Sequence, residues 1–245
     1  MGGEHWFLGG YYNNQLIAKL DLDECSIYRQ QQQLSIPHTD GFSGSCAVYN
    51  DAAHLCFDDR YKAVGPKKCQ TFDGENESVL PVESNAGHVS AAMAIYQEKM
   101  WVVGGCESED LSTCHNSVEF FDGNAWTQSA RFPEAMILAH IVLADENGLY
   151  TIAGWHVSQR DVYMFKNTEW KFLGKMSEST ANSKYFTSGI IAPGSFAYAG
   201  ENSIEKIYLN EENFSSTDIG KPEDGNDMQL EYATMILVHG PVCSS

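Results

Sequence analysis

A short apolar run that ends in glycine returns at a regular interval along this chain of 245 residues. The run reads FLGG at 7–10, CFDD at 56–59, VVGG at 102–105, TIAG at 151–154 and AYAG at 197–200. The last residues of these runs are 49, 46, 49 and 46 positions apart, with CFDD as a degenerate copy. A period of this size marks a repeat architecture, in which one unit cannot bury its apolar face alone. The chain is therefore expected to fold as an array of similar units.

Each unit contains further segments at a fixed spacing. A second apolar run precedes the glycine-ended run, and a nine-residue segment follows it. The fourth position of that segment is large and apolar in every copy: Leu20, Phe72, Phe121, Phe165 and Leu209. The ninth is aromatic in three copies, and Asp, Gly and Asn, which tolerate tight turns, lie between the two positions. The pattern therefore predicts four strands in each unit. We name them a, b, c and d in chain order, and the b strand is the one that ends in glycine.

These units predict an all-β fold, because no helical periodicity competes with the strand pattern. Four short antiparallel strands per unit is the plan of a β-propeller blade, and a ring of blades leaves few exposed sheet edges. The prediction is one domain over residues 1–245 with about five blades. The approximate repeats are 1–36, 37–84, 85–133, 134–180 and 181–228, followed by a terminal strand in 229–245. An ordinary β-sandwich would require the five aligned segments to be accidental.

The third and fourth units resemble the Kelch repeat, whose second strand ends in a glycine pair and which places Tyr or Phe a fixed distance before Trp. They carry these features at Gly104, Gly105, Phe121 and Trp126, and at Ala153, Gly154, Phe165 and Trp170. The other units match less well: Cys25, Glu77 and Phe214 replace the Trp, and Asp58-Asp59 replaces the glycines. The resemblance implies a Kelch-type propeller. It implies little about function, because such propellers host unrelated roles.

The ends of the chain are out of phase with its repeats. It begins at a b strand, in residues 4–10, and ends with an a strand, in 232–239. The terminal a strand can join the N-terminal b, c and d strands in one blade and so close a five-bladed ring. The alternative is a segment of a longer propeller, since the family is more often six- or seven-bladed. The absence of a secretory signal favours the segment.

The charge of the chain excludes some partners. Lys and Arg total 15 against 33 Asp and Glu, a formal net charge of −18. Such a surface repels phosphate backbones and anionic lipids, so nucleic acid and membrane surfaces are not expected as partners. No apolar stretch is long enough for membrane insertion. The oligomeric state stays open.

The cysteines predict two disulfides. Cys106 and Cys114 bracket the b–c loop of the third unit, and Cys56 and Cys69 take the places that Val102 and Val118 hold on neighbouring strands. The alternative is four buried free thiols. Cys25, Cys46 and Cys243 remain, and Cys46, inside an a strand, is expected to be a core thiol. No zinc site is expected, because there is no Cys-x-x-Cys pair.

Two glycosylation sequons fall in equivalent c–d turns. They begin at Asn76 and Asn213. Surface turns can accommodate glycans, so these positions beside paired cysteines favour an extracellular or cell-surface origin. A cytoplasmic location is the alternative.

Aromatic and cationic residues are frequent in the predicted b–c loops. In a four-strand meander the b–c and d–a loops emerge on one face, and residue types enriched at interaction hot spots there indicate a binding surface. The candidates are Tyr11, Tyr12, Arg60, Tyr61, His115, Trp155, His156 and Arg160. Trp155 is the strongest, because no strand pattern explains it. The alternative is packing of these side chains against neighbouring loops.

The sequence favours a non-enzymatic binding module that recognises a protein or glycan partner as part of a secreted or cell-surface protein. No catalytic motif occurs, and no cofactor is expected. One alternative is a cytosolic Kelch adaptor for ubiquitin-ligase substrates. Another is a copper-radical oxidase like galactose oxidase, whose architecture is similar. His88 and His140, near the predicted central channel, are expected to be core or channel histidines rather than metal ligands.

Overall fold

The computed structural model describes a chain built from β-strands and their connections. The described residues are 5–8, 15–21, 26–38, 44–60, 63–110, 112–152, 154, 160–176, 187–192, 195–199, 204–209 and 214–220. They contain no helix, as the strand pattern predicted. Accordingly, none of the described segments is a helix of the length and apolarity that crossing a membrane requires.

The described strands form five antiparallel sheets. The first contains β1 (His5–Leu8), β2 (Ile17–Asp21) and β3 (Ser26–Arg29). The second contains β4 (Ser45–Tyr49), β5 (Ala52–Cys56), β6 (Cys69–Phe72) and β7 (Glu77–Val79). The third contains β8 (Ala92–Tyr96), β9 (Lys99–Val103), β10 (Val118–Phe121) and β11 (Trp126–Gln128). The fourth contains β12 (Ile141–Ala144), β13 (Leu149–Ile152), β14 (Asp161–Lys166) and β15 (Glu169–Lys175). The fifth contains β16 (Thr187–Ala192), β17 (Ser195–Ala199), β18 (Ile204–Leu209) and β19 (Phe214–Gly220).

Each sheet is a simple meander in which consecutive strands pair. The predicted order a, b, c, d is confirmed in the second to fifth sheets. The a strand β8 lies beside both β4 and β12, so the a strands of these blades adjoin one another on the inside of the array. The first sheet consists of strands b, c and d, and the a strand predicted in 232–239 lies outside the described residues.

The hydrophobic core is divided into layers between neighbouring blades. On β9, Met100 and Val102 pack in the layer shared with the second blade, whereas Trp101 and Val103 pack in the layer shared with the fourth. This alternation is the two-residue period of a strand that is buried on both faces. Every blade therefore depends on its neighbours for burial, as the repeat period indicated.

The ninth position of the repeat segment forms a hydrogen bond to the preceding blade in the second and fourth blades. In the fourth blade, the indole N–H of Trp170 donates to the carbonyl of Ala130 at 3.2 Å. In the second blade Glu77 stands at this position, and its carboxylate accepts from the backbone N–H of Ser35 at 2.8 Å. The substitution of Trp by Glu therefore keeps a contact between blades while changing its chemistry.

The strand register corrects the sequence alignment of the second blade by one residue. Cys56 pairs with Cys69 as Val103, not Val102, pairs with Val118. Phe57 therefore occupies the place of Gly104, and the two have nearly the same positive φ, 64° and 63°. The prediction that Asp58-Asp59 replaces the glycine pair was wrong, since Phe57-Asp58 stands there.

Cys46 is exposed rather than buried in the core. On β4, Ser45 and Tyr49 are buried while Cys46 and Val48 point to the opposite side of the strand. The prediction of a core thiol was wrong because strand alternation, rather than membership of an apolar run, determines which side chains face the third blade.

Candidate binding face

One end of the propeller carries the b–c and d–a loops, and we call it the b–c face. Its described parts include the b–c loops at 57–60, 63–68, 104–110 and 112–117, Gly154 and Arg160 of the fourth blade, and the d–a loops at 30–38, 80–91 and 129–140. The a–b and c–d turns form the opposite end, which we call the a–b face. On the b–c face, described loops of one blade contact loops of the next blade.

The glycine pair Gly104-Gly105 lies at one of these contacts between blades. The backbone N–H of Gly105 donates to the carbonyl of Ile137, in the next d–a loop, at 2.8 Å. A side chain at Gly104 would overlap that same carbonyl oxygen, and one at Gly105 would come within 2.8 Å of the His88 backbone. Both glycines also have positive φ values, 63° and 97°. The glycines are thus required by close backbone approach as well as by local conformation.

The second residue of three of the repeat segments reaches back to the preceding d–a loop. Gln70 donates to the Ile36 carbonyl at 3.0 Å. Glu119 accepts from the backbone N–H of Ala86 at 2.9 Å, and Tyr163 donates its hydroxyl to Glu134 at 2.7 Å. Three different side chains thus make the same connection in three blades. We call this connection the loop clamp.

The clamp of the third blade is a buried carboxylate. Glu119 also accepts from the backbone N–H of Asn85 at 2.9 Å, and His88 Nε2 lies 3.3 Å from Glu119 Oε1. Burial by itself raises the pKa of Glu119, but the hydrogen bonds from His88 and Asn85 outweigh burial and lower this pKa to about 2. The carboxylate is therefore ionised at neutral pH, where hydrogen bonds to a charged acceptor are strongest.

His115, a predicted binding residue, bridges two segments of the face. Its Nε2 lies 2.7 Å from the Gly87 carbonyl, which can only accept, so Nε2 carries the proton. Nδ1 then accepts from the Ser117 hydroxyl at 2.6 Å. Desolvation is the main cause that lowers the pKa of His115 below its ordinary value. The half-buried imidazole of His115 is therefore neutral, and in this form it holds the d–a loop at Gly87.

The two described arginines of the predicted set also make internal contacts. The Arg60 guanidinium pairs with Glu109 in the b–c loop of the next blade, and its backbone N–H donates to Asp58 at 2.9 Å. Arg160 Nε donates to the Met176 carbonyl at 2.8 Å. The structure thus places Arg60 and His115 in adjoining loops of the b–c face. Tyr11, Tyr12, Tyr61, Trp155 and His156 lie outside the described residues.

The structure joins both predicted cysteine pairs by disulfides. Cys56 and Cys69 link β5 to β6 and are fully buried, whereas the Cys106–Cys114 bridge closes a loop on the b–c face and Cys114 is half-buried. The sequon residue Asn76 is exposed in the turn between β6 and β7, on the a–b face. Asn213 lies outside the described residues.

The two histidines that were predicted to lie near a central channel, His88 and His140, are both buried but differ in their surroundings. His88 has a partner at each nitrogen, with Nδ1 2.6 Å from the Gly104 carbonyl. His140 has none for either nitrogen among the described residues, and burial lowers its pKa to about 3. No group of three or more His, Cys, Asp or Glu side chains in the described segments is arranged to hold a metal ion.

Comparison with known proteins bears on the fold. A family model described as the Kelch motif matches residues 88–133. A solved structure titled "Structure of YjhT" is similar with a TM-score of 0.57 at 13% sequence identity, over 77% of this chain and 68% of that one. The chain is a Kelch-type β-propeller. No curated protein matches it by sequence.

In this Kelch-type propeller the matched segment spans the four strands of the third blade and includes Glu119 of its loop clamp. The clamp residues Gln70, Glu119 and Tyr163 were missed by the sequence analysis. Their signal was present, because a polar or amphipathic residue stands at the second position of three aligned segments that are otherwise largely apolar. A binding or interaction module is the general role that this fold supports.

Proposed function

We propose that the propeller is a binding module that recognises a protein or glycan partner through its b–c face. The observation that carries this proposal is the loop clamp. Gln70, Glu119 and Tyr163 tie successive d–a loops to the blades that follow them. A surface whose loops are held before the partner arrives loses little conformational entropy on binding, which favours affinity.

We further propose that this module belongs to a secreted or cell-surface protein. The two disulfides support this location, because such bonds persist in oxidising compartments and are rare in the cytosol. The exposed Asn76 sequon supports it as well. A glycan at Asn76 would lie on the a–b face and leave the b–c face open. A cytosolic ubiquitin-ligase adaptor would instead keep the cysteines reduced.

Partner capture with variants of each face tests the proposal. The immobilised wild-type propeller would be used to isolate a ligand from extracellular protein and glycan libraries. The same ligand is then titrated against Trp155→Ala and Arg160→Ala on the b–c loops, and against Glu98→Gln and Asn124→Ala on the exposed a–b face. We expect at least a fivefold loss of affinity for the ligand in Trp155→Ala or Arg160→Ala, and no loss of affinity in Glu98→Gln or Asn124→Ala. The reverse pattern would move the binding surface to the other end.

A further inference from the structure

We propose that His115 makes the b–c face sensitive to pH. Its neutral imidazole holds the d–a loop at Gly87 in the form of the face that binds a partner, and a proton taken up in mildly acidic solution releases this contact and weakens binding. This inference rests on the proposed function of the b–c face and adds its regulation. It starts from the hydrogen-bond partners of the two ring nitrogens.

The surroundings of Nδ1 of His115 disfavour a second proton on the ring. The hydroxyl of Ser117 donates to this atom at 2.6 Å, and the backbone N–H of Ser117 points to it at 3.3 Å. A hydroxyl can turn and accept instead, but a backbone N–H can only donate. If Nδ1 carried a proton, two donors would face each other in a half-buried place, and both hydrogen bonds to the ring nitrogen would be lost.

A positive charge next to the ring acts in the same direction. The rings of His88 and His115 meet edge to face, with their centroids 5.5 Å apart. His88 Nδ1 lies 2.6 Å from the Gly104 carbonyl and Nε2 lies 3.3 Å from the ionised carboxylate of Glu119, and both of these groups only accept. Both nitrogens of His88 therefore carry protons, so a second imidazolium at His115 would be repelled at short range.

Two acidic groups among the described residues oppose these effects. Glu107 Oε1 lies 3.9 Å from Nε2 of His115, and Glu119 acts from β10. Glu107 is already shared, since its carboxylate also accepts from the backbone N–H of Gly87 at 3.1 Å and lies 3.8 Å from Lys67 Nζ. Desolvation outweighs the attraction of both carboxylates and keeps the pKa of His115 below its ordinary value of 6.5. The neutral ring is thus the form that the folded face holds at neutral pH.

Protonation of His115 changes the surface at Gly87 without unfolding the d–a loop, because the loop has other anchors. The backbone N–H groups of Asn85 and Ala86 continue to donate to Glu119. The side chain of His115 is 20% exposed, so a charged ring reaches water by rotation about its own side-chain bonds. The Gly87 carbonyl then loses its donor, and the b–c face gains one positive charge.

The direction of the pH effect follows from which position of the ring holds the proton more tightly. In the rotated, solvated ring the pKa is the ordinary 6.5, whereas in the packed ring it is lower. The packed form is therefore fully favoured above about pH 6.5, and below that value it is disfavoured by up to about tenfold per pH unit until the pH reaches its own pKa. Cell-surface proteins meet such pH values when they are internalised, so release of a partner in acid is the regulation that this arrangement supports.

Nuclear magnetic resonance of the histidine rings between about pH 8 and pH 5 tests the switch on the protein alone. We expect His115 to titrate with a midpoint below 6.5, and the backbone amide of Gly87 to shift with the same midpoint. Ser117→Ala removes the hydroxyl that donates to Nδ1 and should move the midpoint of His115 upward, toward 6.5. A midpoint at or above 6.5 in the wild type, or a Gly87 amide that does not follow the titration, would overturn the proposal.

The partner captured on the immobilised wild-type propeller is then titrated at about pH 7.5 and pH 5.5. The wild type should bind it about fivefold more weakly at the lower pH, whereas His115→Gln, which can still donate to Gly87 but does not titrate, should change less than about twofold between the two pH values. His54→Gln is the control, because it removes another buried histidine with a lowered pKa, on β5, and it should keep the change of the wild type. Unfolding in urea at both pH values verifies that the variants are folded.

The outcomes separate this inference from the proposed function. Equal pH dependence in the wild type and in His115→Gln, or its loss in His54→Gln, would overturn this inference alone and leave the proposed function standing. Tighter binding at pH 5.5 than at pH 7.5 would also overturn it, because the charged ring would then be the binding form. A captured partner whose affinity no variant of the b–c face changes would overturn the proposed function, and this inference with it.

Discussion

Glu119 and Asn85 lie 34 positions apart in sequence, yet the buried carboxylate of Glu119 accepts from both the backbone N–H of Asn85, at 2.9 Å, and its side-chain amide, at 2.8 Å. One side chain on β10 thereby fixes the loop that leads into β8. Because Gln70 and Tyr163 make the equivalent contact in their blades, the b–c face is held by a repeated device rather than by one local accident.

Removal of the Glu119 carboxylate should destabilise the fold more than removal of the other clamps. Glu119→Ala leaves the buried N–H groups of Asn85 and Ala86 without their acceptor, so we expect a loss of about 3 kcal/mol in the free energy of unfolding. Gln70→Ala removes a single neutral hydrogen bond and should cost about 1 kcal/mol. Urea unfolding measures both, and equal losses would contradict a special role for the carboxylate.

The stability contributed by Glu119 should depend on pH. Its pKa is lowered from 4.5 to about 2 in the folded protein, so the unfolded chain takes up the proton at the higher pH. The contribution is therefore complete above about 4.5 and is lost as the pH falls toward 2, by at most about 3 kcal/mol. The difference in stability between wild type and Glu119→Gln should shrink across this range. A difference that stays constant from pH 5 to pH 2.5 would show that the carboxylate is not charged in the folded state.

Gly104 should be the least replaceable glycine of the third blade. In Gly104→Ala the new methyl group meets the Ile137 carbonyl at a positive φ, so we expect a loss above about 3 kcal/mol. Gly74→Ala is a matched control, because Gly74 also has a positive φ but an added Cβ would meet nothing within 4 Å. The control Gly74→Ala should lose about 1 kcal/mol in the free energy of unfolding. Similar losses at both sites would mean that φ alone, and not the crossing loop, requires the glycine.

Four cysteines should be unreactive in unreduced protein. Alkylation after unfolding without reductant, followed by peptide mass mapping, should leave Cys56, Cys69, Cys106 and Cys114 unlabelled, because both pairs are disulfides. The same treatment with reductant is the control and should label them all. Complete labelling without reductant would contradict the disulfides and, with them, the proposed extracellular location.

The sequence predicted the features that follow from local pattern. The four-strand meander comes from alternating apolar runs separated by turn residues, which need no knowledge of distant contacts. The Cys56–Cys69 pair could also be predicted from the sequence, because strands b and c are neighbours in any meander.

The sequence could not predict the features that depend on neighbouring blades. Phe57 has the positive φ of a glycine, but its fully buried ring packs near His88 and Trp126, so tertiary packing maintains a conformation that local preference disfavours. The assignment of Arg60 and His115 to a binding surface likewise did not anticipate their contacts with Glu109 and Gly87. Those contacts join segments that are distant in sequence, and the repeat pattern gives no information about such contacts.

The most direct test of the account is hydrogen–deuterium exchange of the propeller with and without its captured partner. The account predicts slower exchange on binding in the b–c and d–a loops, at residues 57–68, 80–91 and 104–117, with no change in the a–b and c–d turns at 50–51, 73–76 and 122–125. Protection confined to those turns would contradict it, because the partner would then bind the end of the propeller that carries no loop clamp.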